Sequence, residues 1–465
     1  MTNNSINLGS AALQTTDKQV SGSFINLDGV EYYKISNYDR MNPFFISVVS
    51  DSDHWLYIST KGGLSAGRKN PENSLFPYYT DDKIHDSGDL TGSKTILSVS
   101  KNEKTFLWEP FTERFEGIYN IERNVYKSIP GNQLIFEEVN HDLALSFSYS
   151  WNSSQKYGFV KKSILNNLGE SSVDIRVLDG LQNLLPYGID RRMQNEYSTL
   201  LDAYKKNELQ ADTGLGLYLL SAIPVDKAEP SESLKATTVW STGIDVKNYL
   251  LSSDQLANFR KGLPLTQEVD VRARRGAYLI ESELTIAAKQ NETWYFVSEL
   301  KQGPAYVVEL NEWIKQDSDK ESKLEADIKA GTEKLTKIVA SSDGIQKSGD
   351  KMMDTRHFAN VMFNVMRGGI FDDNYQVQIN DLKAFIKGFN QEIASKYASL
   401  LDNLSSEVTY SELLDIAKKE NDVQLQRLII EYLPLTFSRR HGDPSRPWNQ
   451  FSIELKEENG DIKLY

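Results

Sequence analysis

The residue pattern changes once along the chain, near residue 305, and this change limits the fold more than any other feature. Before it, short segments rich in aromatic and β-branched residues recur, separated by turns such as Pro130-Gly131-Asn132. After it, apolar residues recur at helical spacing within charged segments. Strands followed by helices predict a β-then-α chain of more than one domain. At 465 residues the chain also exceeds one ordinary domain.

The first part is predicted to form a large antiparallel β-sandwich. Many strands at close, even spacing are typical of this architecture, and their number is too high for a small seven-stranded domain. The predicted strands are 32–35, 44–49, 55–58, 95–99, 105–108, 125–129, 133–139, 144–151, 159–165, 173–180, 217–220, 237–240, 277–280, 284–286 and 293–297. Residues 185–210 break this pattern, and Arg191 to Tyr204 indicates one helical insert.

The second part is predicted to be helical. Val307 to Ser341 is highly charged and has only a thin apolar stripe, which predicts a solvated connecting helix. Further helices are expected at 358–366, 379–398, 409–420 and 425–432, with Ser405 and Thr409 as caps. We therefore divide the chain into a β-sandwich domain at 1–305, a helical linker at 306–350 and a helical region at 351–465.

Composition excludes several classes of site and partner. The chain has no cysteine, so disulfides, thiolate zinc sites and cysteine nucleophiles are excluded. The five histidines are scattered without metal-ligand spacing, and no metal site is predicted. A net charge of −13 argues against coating nucleic acid. No signal peptide or membrane-spanning run is visible, so a cytoplasmic protein without membrane contact is the simplest interpretation.

The polar loop near the C-terminus is the strongest candidate for a binding site. Gly442, Pro444 and Pro447 exclude a helix there, and the preceding helix is expected to end at Leu433-Pro434. Arginine forks, a carboxylate and an aromatic face suit a sugar, phosphate or carboxylate. The candidate residues are Arg439, Arg440, His441, Asp443, Arg446 and Trp448. The alternative is an interdomain loop whose arginines only form salt bridges.

Two further segments are weaker candidates. A helix is expected to end at Gly368-Gly369, presenting Arg367 and Asp372 on a turn. Alternatively, Arg367 only interacts favourably with the dipole at the C-terminus of the helix, and Asp372 is a solvated turn residue. The glycine-rich segment 61–71 has neither phosphate-loop nor dinucleotide spacing. It indicates tight turns with a strand bulge, or else a loop that projects toward a neighbouring domain.

Several segments resemble the cellobiose phosphorylase type of glycoside phosphorylases, glycoside hydrolase family 94. Residues 44–48 through Gly62-Gly63-Leu64 are similar to early strands of that family's sandwich. Later segments follow one another in the same order as the parts of that family. They are Leu107 to Phe111, 119–126, Trp294 to Val297, the charged linker and the helix at 358–366. The resemblance implies a β-supersandwich, a helical linker and the beginning of an (α/α)6 barrel.

The same resemblance implies an inverting phosphorylase that acts on β-linked gluco-oligosaccharides. It implies no cofactor, with inorganic phosphate as co-substrate, and the loop at 439–448 would grip the glycon. A general acid is expected beyond Tyr465, because too few residues follow Lys347 for twelve barrel helices. The implied partners are an oligosaccharide or sugar, and a second copy or a completing C-terminal catalytic region. The alternatives are a non-catalytic carbohydrate-binding or assembly subunit and a structural β-protein without a ligand.

Overall fold

The computed structural model describes residues 6–8, 11–14, 18–78, 83–222, 235–341, 344–345, 347–366, 376–437, 455–456 and 462–463. They form two compact units. The β unit comprises Met1–Val48, Leu56–Ser128 and Asn132–Ile328. The helical unit comprises Val49–Trp55, Ile129–Gly131 and Lys329–Tyr465. The three predicted domain ranges stay predictions.

The strands follow one another closely in the β unit. In chain order they are β1 Asn7–Leu8, β2 Ala11–Ala12, β3 Ser21–Leu27, β4 Val30–Ser36, β5 Phe45–Val48, β6 His54–Ser59, β7 Leu64–Arg68, β8 Ser74–Phe76, β9 Gly92–Lys101, β10 Lys104–Trp108, β11 Ile121–Ser128, β12 Leu134–Asn140, β13 Leu145–Ser154, β14 Gly158–Asn167, β15 Val173–Leu184, β16 Lys205–Gln210, β17 Leu215–Leu220, β18 Ala236–Thr242, β19 Asn248–Leu250, β20 Asp270–Arg272, β21 Gly276–Ile286 and β22 Asn291–Gln302. Two short strand pairs complete the set in the described part of the helical unit: β23 Gln376–Gln378 with β24 Glu407–Thr409, and β25 Leu455–Lys456 with β26 Ile462–Lys463.

The helices lie mainly in the second half of the chain. They are α1 Lys83–Asp86, α2 Arg191–Glu196, α3 Leu256–Arg260, α4 Pro304–Gln316, α5 Lys320–Ser341, α6 Lys351–Met366, α7 Ile379–Phe389, α8 Gln391–Lys396, α9 Ala398–Asp402, α10 Tyr410–Glu420 and α11 Val423–Phe437. Two 3-10 helices occupy Tyr38–Arg40 and Ser198–Tyr204.

Two large antiparallel sheets enclose the main core of the β unit. The larger sheet has eleven strands in the order β20-β16-β17-β18-β22-β14-β13-β12-β11-β4-β3, and the smaller has the order β10-β9-β15-β21-β19. A four-stranded sheet, β5-β6-β7-β8, joins them. One apolar cluster draws Phe136 and Phe296 from the larger sheet, Val177 and Ile280 from the smaller and Leu64 from the third. This confirms the predicted antiparallel, β-rich first part, and its alternating strand β12 follows the expected period of two.

One strand is longer than the sequence suggests. The predicted strands 277–280 and 284–286 form a single strand, β21, of 11 residues. The polar residue Glu281 lies within it and is 1% exposed. Its carboxylate accepts hydrogen bonds from Arg176 Nε at 2.6 Å and Asn248 Nδ2 at 2.6 Å. Glu281 interrupts the apolar pattern of the sequence, but it can be buried inside the strand because both of its carboxylate oxygens accept hydrogen bonds.

The helical insert is real but is not one helix. It consists of α2, capped by the side chain of Asp190, and a 3-10 helix at Ser198–Tyr204. The next residues, Lys205–Gln210, form strand β16 in the larger sheet. The prediction that the strand pattern is interrupted as far as residue 210 is therefore wrong for 205–210.

The connecting segment differs from the prediction in two ways. It contains two helices, α4 and α5, and α4 begins at Pro304, a favourable first helical residue because proline lacks an N–H. The apolar stripe of α5 is buried rather than solvated. Leu324 and Leu335 are both 0% exposed. The stripe is thin, but it contributes to two apolar clusters: Leu324 belongs to one and Leu335 to the other.

The described part of residues 351–437 contains six helices, α6 to α11, and one strand pair, β23-β24. The predicted helices are present, although 379–398 is divided into α7, α8 and the start of α9. Thr409 is the N-cap of α10 in a capping box with Glu412, as predicted. Ser405 is not a cap, because its hydroxyl donates to the Glu407 carbonyl at 2.6 Å. An (α/α)6 barrel is not shown.

The last long helix passes the residue where it was expected to end. Helix α11 continues through Pro434 to Phe437. Proline removes one backbone hydrogen bond from a helix interior but does not always end the helix. The prediction that Leu433 and Pro434 end this helix is therefore wrong.

Candidate functional site

A cavity of about 610 Å³ opens in the β unit where several loops meet. We call it the β-unit cleft. Its lining comes from the segment between β10 and β11, here called the first wall, from the β6–β7 turn with helix α1, here called the second wall, and from the first 3-10 helix with the segment after it. Residues of strands β9 and β13 complete the lining and are here called the floor. The polar and aromatic lining residues include Asp39, Arg40, Lys61, His85, Asp86, Asp89, Lys94, Thr95, Phe111, Glu113, Glu116, Tyr119, Arg123 and Tyr149.

The carboxylate of Glu138 fixes the first wall. Glu138 is 1% exposed and accepts three hydrogen bonds. The donors are Trp108 Nε1 at 2.7 Å, the Phe111 backbone N–H at 2.7 Å and Arg123 Nε at 2.8 Å. Arg123 also donates to the Thr112 carbonyl at 2.8 Å. One buried ion pair thus holds both ends of the loop that forms this wall.

Phe111 has an unusual backbone conformation within this wall. Its φ of 65° lies in the left-handed region, which is costly for a bulky residue. The hydrogen bond from its N–H to Glu138 supports this conformation. Its ring packs against Phe136, Phe147 and Tyr149, with centroids 5.2 to 6.3 Å apart. The surrounding core therefore maintains a strained residue at the edge of the cavity.

A second buried carboxylate anchors the start of the same wall. Arg260 donates two hydrogen bonds to Glu109, at 2.8 and 2.9 Å, and Lys94 forms an ion pair with it. Burial raises the pKa of Glu109. The hydrogen bonds from Arg260 and the charge of Lys94 lower this pKa by more than burial raises it, so the net shift is downward. Glu109 is thus held as a carboxylate. Lys94 also reaches Asp89 at 3.1 Å.

The second wall presents a histidine that is held through one ring nitrogen. Ser59 Oγ lies 2.8 Å from His85 Nδ1 and accepts the Lys61 backbone N–H at 3.1 Å. Ser59 is 0% exposed. Its contact with Nδ1 leaves Nε2 as the ring nitrogen of His85 that has no partner among the described residues.

Glycines allow this wall to pack closely. Gly62 has a φ of 89°, and a side chain at Gly63 would come within 2.2 Å of the Ile84 carbonyl oxygen. Strand β7 follows directly and contains a register shift between Ala66 and Gly67. The interpretation of segment 61–71 as a tight turn with a bulge is confirmed. The sequence did not reveal that this turn lines a cavity.

The floor rests on a fully buried polar network. Thr95 Oγ1 donates to Asp179 at 2.6 Å, and Lys161 lies 2.6 Å from the same carboxylate. Ser163 and Trp294 complete the set of donors, each at 2.8 Å. Burial lowers the pKa of Lys161, while Asp179 opposes this shift. All of these groups are satisfied, so the network can hold the floor in place without an unpaired charge.

The charges that line the β-unit cleft are mostly paired. The four cations have carboxylate partners: Arg40 with Asp39 at 3.6 Å, Lys61 with Glu113 at 3.1 Å, Lys94 with Asp89 at 3.1 Å and Arg123 with Glu138 at 2.8 Å. The exposed carboxylates of Asp86 and Glu116 form no ion pair or hydrogen bond with the described part of the chain. The cleft therefore offers free acceptors rather than free cations. Within the described ranges, no group of three acidic or histidine side chains could hold a metal ion.

The structure does not place the site residues that the sequence predicted. They all lie outside the described residues: Arg367, Asp372, Arg439, Arg440, His441, Asp443, Arg446 and Trp448. Their assignment stays a prediction. Conversely, the β-unit cleft was missed, because its residues come from distant segments that only the fold brings together. Parts of its lining lie in segments that the sequence analysis singled out separately, namely 61–71, Leu107 to Phe111 and 119–126, but nothing in the sequence joined them into one site.

One protein-family model matches part of the helical unit. The sequence model of glycoside hydrolase family 149 insertion domain 1 matches residues 371–434. The match covers β23, β24 and helices α7 to α10, together with most of α11. A comparison with curated proteins found no match.

Solved structures give distant similarities. A bacterial glucoamylase complexed with acarbose has a TM-score of 0.43 and 10% identity, and the alignment covers 96% of this chain and 61% of that one. A protein from the human microbiome described as a kojibiose phosphorylase has a TM-score of 0.29 and 10% identity over 62% of this chain and 35% of that one. The chain thus spans less than two thirds of either structure.

The family match makes residues 371–434 similar to a glycoside hydrolase insertion domain, and it does not single out family 94. It agrees with the coarser expectation of a carbohydrate-active enzyme-like protein, which stays a proposal for the chain as a whole. In addition, no helix within the described ranges combines the length and apolar character needed to cross a membrane.

Proposed function

We propose that the chain is part of an inverting glycoside phosphorylase that acts on β-linked gluco-oligosaccharides. The observation that carries this proposal is the family match to residues 371–434 in the helical unit. The match names a glycoside hydrolase insertion domain, and the sequence adds an arginine-rich loop directly after helix α11. Guanidinium groups and carboxylates provide the hydrogen bonds that hold sugar hydroxyls and phosphate.

In this proposal the loop binds the glycon and phosphate performs the substitution. Arg439, Asp443 and Arg446 hold the sugar hydroxyls, and Trp448 packs against the ring. A phosphate oxygen attacks the anomeric carbon while a carboxylic acid protonates the leaving oxygen. The configuration inverts because the attack occurs on the opposite face. Phosphate replaces the water that a protein base would have to activate, so no base is required.

Calorimetry with β-1,3- and β-1,4-linked glucotrioses tests the glycon site. The variants Arg439→Ala, Asp443→Ala and Arg446→Ala should each weaken binding by about tenfold or more, because a charged hydrogen bond contributes roughly 1.5–3 kcal/mol. Lys247→Ala is the control, because Lys247 forms an exposed ion pair with Glu283 in the β unit. Unchanged glucotriose affinity in all three variants would contradict this role for the loop.

The β-unit cleft favours a second candidate, a non-catalytic carbohydrate-binding subunit. Its walls are fixed by buried ion pairs, and it holds exposed carboxylates, Asp86 and Glu116, that can accept hydrogen bonds from a ligand. A phosphorolysis assay with the complete natural protein, rather than with residues 1–465 alone, separates the two candidates. Release of sugar phosphate from a glucotriose and inorganic phosphate supports the enzyme, whereas binding without release favours the binding subunit.

A further inference from the structure

We propose that the β-unit cleft is a separate binding site for a neutral saccharide of two or three sugar units. This goes beyond the proposed function, because it places a ligand on the β unit rather than on the loop after α11. The argument rests on the charge, the hydrogen-bonding groups, the size and the rigidity of the cleft.

The charge of the cleft argues against an anionic ligand. Five acidic and four basic residues line it, and the four cations already contact carboxylates. A phosphate or carboxylate ligand would have to displace one of these partners. An uncharged ligand avoids that cost, because it leaves the existing ion pairs in place.

The free polar groups suit hydroxyls. The carboxylates of Asp86 and Glu116 are exposed acceptors without partners in the described chain. His85 contributes its second ring nitrogen, Nε2, because Ser59 occupies its Nδ1. A sugar hydroxyl donates one hydrogen bond and accepts others, so neighbouring hydroxyls of one ring can use both kinds of group.

The size and the aromatic lining fit the same class of ligand. A volume of about 610 Å³ is in the usual range for small-molecule sites. Tyr119 and Phe111 contribute aromatic surface, which can pack against the apolar faces of a sugar ring. Tyr119 is held in place by a hydrogen bond from its hydroxyl to the Leu107 carbonyl at 2.8 Å.

The cleft is also rigid where a binding site needs rigidity. Glu109 and Glu138 anchor the first wall, and the Asp179 network supports the floor beneath Thr95. These buried contacts hold the lining residues in place before a ligand binds, and this reduces the entropy lost on binding. The strained backbone of Phe111 is another feature that clusters at binding sites.

Calorimetry of the full chain with β-1,3- and β-1,4-linked glucotrioses tests the proposal. The double variant Asp86→Ala/Glu116→Ala removes the free acceptors. It should weaken one binding event by about tenfold or more. The matched control is Asp254→Ala/Glu283→Ala, which changes the charge equally at two exposed positions outside the cleft and should leave affinity unchanged. Thermal melting verifies that both proteins fold.

The outcomes separate this site from the loop. The double variant Arg439→Ala/Arg446→Ala removes two arginines of the loop. If it still binds glucotriose, and if this remaining binding is weakened by adding Asp86→Ala/Glu116→Ala, the cleft is supported even if the proposed function fails. Glucotriose binding that is unaffected by the cleft variant overturns the inference. Binding of inorganic phosphate that is lost in the cleft variant, without any glucotriose binding, overturns it as well.

Discussion

The two units differ in how deeply they bury the ion pairs of their core elements. The β unit places complete ion pairs inside its core: both side chains of the Lys161–Asp179 pair are 0% exposed, and those of Arg123 and Glu138 are 10% and 2% exposed. In helices α7 to α11, the ion pairs Lys383–Asp402 and Lys396–Asp422 each have an exposed member. Asp402 of the Lys383 pair is 68% exposed, and Lys396 of the Asp422 pair is 57% exposed.

This difference indicates what each unit depends on. Buried ion pairs give little net stability, but removing one partner leaves a charge in the core without compensation. The helical unit relies instead on its apolar cluster, in which Leu382, Leu413, Leu425 and Leu428 are all 0% exposed, and on its helix caps. We therefore expect single charge deletions to be severe in the β unit and mild in the helical unit.

The largest effect is expected from Asp179→Ala. The variant leaves Lys161 buried and removes the acceptor shared with Thr95, Ser163 and Trp294. The free energy of unfolding of the β unit should fall by about 3–5 kcal/mol in denaturant titration. Asp174→Ala is the control on the same strand, because Asp174 is exposed and bonds only Thr285. Equal losses in both variants would break the contrast.

Leu428→Ala should be the severe change in the helical unit. Leu428 is 0% exposed in α11, and truncating a buried leucine typically costs about 2–5 kcal/mol. Val423→Ala provides the control, because Val423 is 73% exposed in the same helix. Denaturant unfolding followed by helix content measures the effect. A loss below about 0.5 kcal/mol for Leu428→Ala would mean that packing does not dominate there.

A moderate effect is expected at the N-terminus of α10. Thr409→Ala removes the side-chain acceptor for the Glu412 N–H and should cost about 1 kcal/mol. Ser405→Ala should cost less than about 0.5 kcal/mol, since Ser405 is exposed and caps no helix. Thermal melting compares the two variants. Equal shifts would show that the capping box contributes nothing specific.

The smallest effect concerns pH. The hydrogen bond from Lys396 lowers the pKa of Asp422 to about 2, against a partial opposing effect of burial, and the N–H groups of Gln424 and Leu425 lower it further. Because the folded pKa lies below the ordinary value of 3.8, this contribution is present above that value and is lost as pH falls toward about 2. Asp422→Asn should therefore flatten the acid side of the melting profile, and Asp402→Asn should not.

The sequence predicted the strands well where side chains alternate or are bulky and β-branched. It failed where polar residues are internal to an element. Glu281 divided one strand into two predicted ones, because sequence alone does not reveal the partners Arg176 and Asn248. The short strand β24 was not predicted, because three residues are too few to show a period.

The candidate sites show the same limit. The loop at 439–448 was found because its polar residues are adjacent in sequence, and it stays a prediction. The β-unit cleft escaped notice because His85, Phe111 and Glu116 belong to separate segments with no common motif. Only the pairing of strands brings these segments to one place.

The sequence by itself determined the order of the two parts, since periods of two and of 3.6 residues are local properties that any short window displays. It also determined the capping box at Thr409, which needs only residues three apart. The tertiary structure alone decided which charges are buried and which acceptors remain free in the cleft. Burial and pairing depend on contacts between residues such as Lys161 and Trp294, which lie more than a hundred positions apart along the chain but share the carboxylate of Asp179.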